Sequence, residues 1–209
     1  MAACGGGREK ARDGNGLGVR GLLKQAFAGG DETSFEGGGL CGDPLLVGER
    51  IGTVDGNGVC GVEDAVSLRA IGSVTLSQPA TLNCKTAQTL RSWLETGAKP
   101  AIGKRGGGLS ELKVAAHYAC RTRNHQRGAK ISEHGKGNAI DISAVRLKDG
   151  TEISVLHHWG RGKDGKALKE MHKSACGPFG TVLGPGSDGF HKDHLHFDTA
   201  SYRSGSYCR

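Results

Sequence analysis

The sequence predicts an α+β domain, because runs of strands are flanked by helices rather than alternating with them. Two observations carry this. Apolar and polar residues alternate with the strand period of two along 112–118, 138–145 and 193–198. Stretches 85–97 and 166–175 instead carry apolar stripes at helical spacing. A third observation limits the class: no stretch approaches the about 18 consecutive apolar residues of a transmembrane helix, so no stable membrane insertion is expected.

In chain order, residues 1–39 read as a flexible or processed extension. Of 37 glycines, 12 fall in the first 40 residues, among mixed charges without apolar periodicity. The domain runs from residue 40 to 209, where Val, Ile and Leu suffice for a core. Val62 to Ile71 reads as a helix. So does Lys85 to Gly97, with Ala87, Leu90 and Leu94 as its stripe, Trp93 in the core, and Gly97 and Pro100 ending it. Leu112, Val114, Ala116 and Tyr118 alternate as a strand, as do Asn138 to Val145 and Thr151 to Leu156. His157, His158 and Trp159 then read as a surface turn in preference to a cleft rim. Lys166 to Ala175 is a helix with Leu168, Met171 and Ala175 inward. Thr181 to Leu183 is a short strand before a Gly-Pro-Gly turn, and Asp193 to Asp198 is the last strand.

Seven cysteines bear on compartment. Cys4 lies in the glycine-rich extension, while Cys41, Cys60, Cys84, Cys120, Cys176 and Cys208 are spread through the domain. None forms a CxxC pair, so cysteine-based zinc is disfavoured, and up to three disulfides in an oxidising compartment are expected. Met1 to Gly30 lacks a continuous apolar core, so no signal peptide is visible. The net charge of +7 suits anionic polymers such as cell wall. Lys and Arg look scattered and aromatics for base stacking are few, which argues against nucleic acid.

Two segments carry chemistry: Ser132-Glu133-His134-Gly135-Lys136-Gly137-Asn138-Ala139-Ile140-Asp141, and His191-Lys192-Asp193-His194-Leu195-His196-Phe197. Strand parity puts Asp141 opposite to Ile140 and Ile142, on a face where a carboxylate can meet a metal. His134 can bend back through Gly135 and Gly137. His194, His196 and Asp198 share a face, the two histidines about 6.6 Å apart at Cα, while Leu195 and Phe197 anchor the other. One histidine can bind metal while its neighbour reaches substrate or water. Alone, each histidine is more often a surface or hydrogen-bonded core residue. Jointly they offer three protein ligands, and three ligands leave the open position that marks catalytic zinc.

Ser132, His134, Gly137, Ala139 and Asp141 match the SxHxxGxAxD pattern of zinc D-alanyl-D-alanine metallopeptidases, and His194-Leu195-His196 matches their HxH element. Over roughly residues 40–209 the chain resembles the bacterial extensin-like C-terminal domain family. That likeness rests on Tyr118-Ala119-Cys120-Arg121-Thr122-Arg123-Asn124, the two segments above, Thr181-Val182-Leu183-Gly184-Pro185-Gly186 and Tyr207-Cys208-Arg209. Only five prolines occur, with no Ser-Pro-Pro repeat, so a structural wall rod is excluded.

The resemblance implies a small antiparallel sheet with zinc at its face, in a D-Ala-D-Ala metallopeptidase/hedgehog-like fold. It implies Zn2+ held by His134, Asp141 and His196, with His194 beside the metal as proton carrier. His191-x-x-His194-x-His196 resembles the spacing of murein endopeptidases, which makes His191 an extra active-site histidine. Arg121 sits where related peptidases carry a site arginine, with Arg123 as the alternative register. Some relatives use a carboxylate base three residues before the ligand; Asp193 holds that position, but strand parity turns it away from His196, so it ranks below His194. The implied function is zinc-dependent hydrolysis of peptidoglycan stem peptides, DD-endopeptidase before DD-carboxypeptidase, in the periplasm or outside the cell. The alternative is a non-catalytic, zinc-containing wall-binding domain. Oligomeric state is left open.

Overall fold

The computed structural model describes Met1, residues 39–201 and residues 204–209. The extension expected over 1–39 therefore lies almost wholly outside the described residues, as does Cys4.

From Gly39 onward the described residues fold around one open, nine-stranded sheet. Strands β1 (Leu46–Asp55), β2 (Gly61–Ile71) and β3 (Val74–Asn83) form an antiparallel meander. The helix expected at Val62 to Ile71 is thus a strand. Its buried residues, Val62, Ala65, Val66, Leu68 and Ile71, are spaced like a helix because bulges break the period of two. The ladder slips between Leu68 and Ala70 against β3, and at three points against β1. Each extra residue turns the next side chain to the other face.

Helix α1 (Cys84–Trp93) starts directly from β3, with Asn83 Oδ1 accepting from the backbone N–H of Thr86 at 2.8 Å as its N-cap. Gly97 and Pro100 do not end it. The helix widens into a π turn over Leu94–Ala98 and resumes as α2 (Lys99–Ile102), with Pro100 in its first turn, where no N–H is required. Gly97 lacks a side chain because Ser174 of the facing helix lies where a Cβ would stand.

Strand β4 (Leu109–Ala116) pairs parallel with β3 and antiparallel with β5 (Ala139–Leu147). β5 also carries β6 (Glu152–Ser154) and β8 (Leu195–Asp198). The strand expected through Leu156 stops at Ser154, and α3 (Val155–His158) takes up His157 and His158. α4 (Gly162–Ala175) buries Leu168, Met171 and Ala175 as the stripe requires. β7 (Thr181–Leu183) pairs antiparallel with β8, and β9 (Tyr207–Cys208) joins β7 in parallel. The sheet is therefore larger than expected and mixed rather than wholly antiparallel.

One face of the β5–β8 region is core. Ile140, Leu195 and Phe197 are buried there; Phe197 stacks on Phe179 at 5.1 Å and meets the edge of Trp93 at 4.9 Å. Trp93 Nε1 donates to the Met171 carbonyl at 3.0 Å, tying α1 to α4. Among the described residues no helix is long and apolar enough to cross a membrane.

Three disulfides form: Cys41–Cys84, Cys60–Cys120 and Cys176–Cys208. They pin, in turn, the chain before β1 to α1, the β1–β2 turn to the loop after β4, and the end of α4 to β9. By the loop-closure argument each contributes roughly 2–5 kcal/mol. Alkylation of folded, unreduced protein should therefore label at most Cys4. Replacing both Cys176 and Cys208 by Ser should lower the denaturant midpoint without abolishing folding. Labelling of several domain cysteines contradicts the pairing.

Candidate metal centre

The opposite face of the same strands is polar. Asp141 of β5 lies directly across from His196 of β8, and Ala139 across from Asp198. Cross-strand partners share a face, so Asp141, His196 and Asp198 converge. His134 arrives from a short 3₁₀ turn, Glu133–Lys136, just before β5. Gly137 closes that turn at φ +64°, and a Cβ there would stand 2.8 Å from Val62 Cγ2 and 3.0 Å from the Asn83 nitrogen. Glycine alone meets both demands.

His134, Asp141 and His196 are all buried, and their donor atoms lie within 4.8 Å of one another. His134 Nε2 is 3.1 Å from Asp141 Oδ2 and 3.2 Å from His196 Nδ1, which is 2.8 Å from Asp141 Oδ1. A tetrahedral ion with bonds of about 2.0–2.1 Å sets its donors roughly 3.3 Å apart, so the trio can hold one.

The outer hydrogen bonds say what faces inward. His134 Nδ1 lies 2.7 Å from the carbonyl of His117, which can only accept, so Nδ1 carries the proton and Nε2 presents a lone pair. His196 Nε2 lies 3.1 Å from Asp198 Oδ2, which likewise leaves Nδ1 as a lone pair. Two lone pairs and a carboxylate thus face one another, and only a cation or a proton can satisfy them. In the protein without an ion the proton takes that place. Burial works against charge on His196, but the hydrogen bonds it donates to Asp141 and Asp198 overcome that and push its pKa up to about 9. Burial alone would raise Asp141; hydrogen bonds to His134 and His196 outweigh it and hold the carboxyl well below its usual range.

His194 sits just ahead of β8 rather than within it. Its Nε2 is 3.7 Å from Asp141 Oδ2, and its Nδ1 is 2.8 Å from Asp193 Oδ1. Asp193 lies ahead of β8, so strand parity does not govern it; it is exposed and orients His194. His191 is nearly buried, its ring centroid 5.1 Å from that of His194 and 5.7 Å from that of His196. Asp188 Oδ1 holds its Nδ1 at 2.7 Å and also accepts from the backbone N–H groups of Phe190 and His191. Burial keeps the His191 pKa below its ordinary value, against the pull of Asp188.

A cleft of about 170 Å³ opens onto the trio, and Arg121, Arg123 and His191 line it. His194 touches the trio but is not part of that lining. Arg123 lies 3.5 Å from the buried carboxylate of Glu133, which also accepts from Asn138 Nδ2 at 2.8 Å. The Arg121 side chain makes no ion pair or hydrogen bond among the described residues. The Cys60–Cys120 disulfide fixes the residue before Arg121.

Sequence reasoning brought together His134, Asp141, His191, His194, His196 and both arginines. It assigned no role to Asp198, Asp188, Glu133, Thr181, Tyr207 or the His117 carbonyl. Asp198 was legible from parity; the others meet the site only through tertiary folding.

The site is a candidate mononuclear metal centre on the polar face of a mixed sheet. The chain belongs to the family described as Extensin-like protein C-terminus, whose model matches residues 46–209. No curated protein and no solved structure matches it.

Asp198→Asn should weaken zinc affinity about 10–100-fold, since it disturbs the partner that orients His196. A competition titration with a chromophoric chelator reads this, with Asp193→Asn as the control that stays near wild type. Because both histidines must be unprotonated to bind, affinity should fall as pH drops. Gly137→Ala should cost at least about 1–2 kcal/mol in denaturant unfolding for the left-handed φ alone. A neutral Gly137→Ala would show that the turn is not tightly held.

Proposed function

We propose that this chain is a zinc-dependent peptidase of peptidoglycan stem peptides, acting in the periplasm or outside the cell. The observation that carries the reading is the buried, acceptor-only trio at the floor of a cleft that also presents an uncommitted arginine. The likeness of the His134–Asp141 and His194–His196 segments to D-alanyl-D-alanine metallopeptidases supports the same reading. The antiparallel β5–β8 pair, whose polar face carries Asp141 and His196, also suits that reading. Three disulfides suit an oxidising compartment.

His134, Asp141 and His196 would hold the ion, which supplies Lewis acidity to acidify a water and polarise the scissile carbonyl. His194 is the proton carrier. Its Nδ1–H is spent on Asp193, so Nε2 keeps a lone pair beside the centre, where it takes a proton from water and returns it to the leaving amine. Arg121 is the better placed of the two arginines to grip a substrate carboxylate or the developing oxyanion, because Glu133 already engages Arg123. His191, fixed by Asp188, borders the same space and orients substrate there.

Zinc-loaded protein incubated with cross-linked muropeptide dimers should convert them to monomers, read by mass spectrometry. His194→Ala should keep its zinc and lose about 10²–10⁴ in kcat. Arg121→Ala should lose rate with zinc intact, and Arg123→Ala should lose less. Release of terminal D-alanine alone reassigns the protein as a carboxypeptidase. No product from any muropeptide, with zinc bound and the fold intact, favours the non-catalytic wall-binding reading.

A further inference from the structure

We propose that Thr181 is a substrate-positioning residue, whose hydroxyl hydrogen-bonds a backbone amide of a peptide lying in the metal cleft. The proposal rests on the peptidase reading for its ligand class, but its evidence is independent. Thr181 pairs across the ladder with Asp198, and Leu183 with His196, so both project from the face that carries the trio. β9 adds Tyr207 beside Thr181, held there by the Cys176–Cys208 disulfide. All three side chains line the cleft, Thr181 and Leu183 two strands and Tyr207 three strands away from Asp141.

The Thr181 side chain is anomalous in this setting. The residue is 6% exposed, and its Oγ1 is closed to bulk water with no hydrogen-bond partner. The other two buried side-chain atoms without a hydrogen bond among the described residues, Arg91 Nε and Glu111 Oε1, sit in ion pairs with Asp43 and Arg146. Thr181 has no such compensation. An unpaired buried hydroxyl destabilises a fold, and valine, of the same shape and better suited to a strand, would remove the penalty. A hydroxyl kept at a cleft wall against stability is explained by a partner that arrives with the ligand. To meet a ligand, Oγ1 must turn about χ1 into the cleft that Thr181 lines. There it can donate to a peptide carbonyl or accept from a peptide N–H. The cleft, of about 170 Å³, has room for a short extended segment.

The test compares two zinc-binding probes on zinc-loaded protein by calorimetry. Acetohydroxamate carries no further amide, whereas N-acetylglycine hydroxamate does. Wild type should bind the second more tightly. Thr181→Val should cut that preference about 2–10-fold while leaving zinc content and acetohydroxamate affinity unchanged, and Thr181→Ser should restore it. Thermal unfolding should show Thr181→Val at least as stable as wild type. An unchanged preference in Thr181→Val overturns the proposal. So does a Thr181→Val protein that melts several degrees lower while Thr181→Ser does not, because the hydroxyl then has a structural partner. A chain that binds no zinc overturns it too. Loss of the preference in a protein that cleaves no muropeptide sinks the peptidase reading and leaves Thr181 as a ligand-positioning residue.

Discussion

The site depends on one pairing: Asp141 opposite His196 in the antiparallel ladder between β5 and β8. A strand's period of two makes this register do two jobs at once. It sends Ile140, Leu195 and Phe197 into the core against Trp93 and Phe179, and it sends Asp141, His196 and Asp198 to the other face. A slip of one residue would bury the ionisable groups among aromatics and expose the apolar ones. The hydrophobic core thus enforces the register that assembles the donors, and it lies directly behind them.

Around that pair the remaining parts arrive from separate directions, each with its own restraint. Gly137 bends the chain so that His134 reaches across, and the His117 carbonyl at the end of β4 fixes its ring. A polar chain continues behind it: Arg123 to Glu133, Glu133 to Asn138, Asn138 to Asn83, and Asn83 to the first turn of α1. The segment holding His134 is therefore tied to the helix that packs under the sheet. Asp188 and Asp193 each hold one flanking histidine by its Nδ1. Preorganisation of this kind lowers the ordering cost of binding an ion or a ligand.

How much was legible depended on whether local periodicity survived into the fold. Asn138 to Val145 and Leu195 to Asp198 keep their alternation, so these strands and their polar faces could be read directly, whereas Asp193 and His194 precede β8. Val62 to Ile71 lost its alternation to bulges and imitated a helix. β1 lies at the open edge with mostly exposed residues, which leaves little apolar pattern to read, whereas β3 is interior and does alternate at Val74, Leu76, Ala80 and Leu82, a strand signal the sequence reading passed over. Gly97 and Pro100 looked like a helix end, but the close approach of α4 and a widened turn absorbed both. Thr181, Glu133 and the His117 carbonyl carry no local mark of their roles, because their neighbours come from distant strands. The cysteines announced disulfides, though only the fold chose the pairs.

The central claim is that the inward-facing acceptors of His134, Asp141 and His196 exist to hold one metal ion. Crystals of zinc-loaded protein, with anomalous data collected on both sides of the zinc absorption edge, test it most directly. The account predicts one strong peak per chain, bonded to His134 Nε2, an Asp141 oxygen and His196 Nδ1, with His194 outside bonding distance. Absence of a peak there, or a zinc bound instead between His191 and His194, contradicts it.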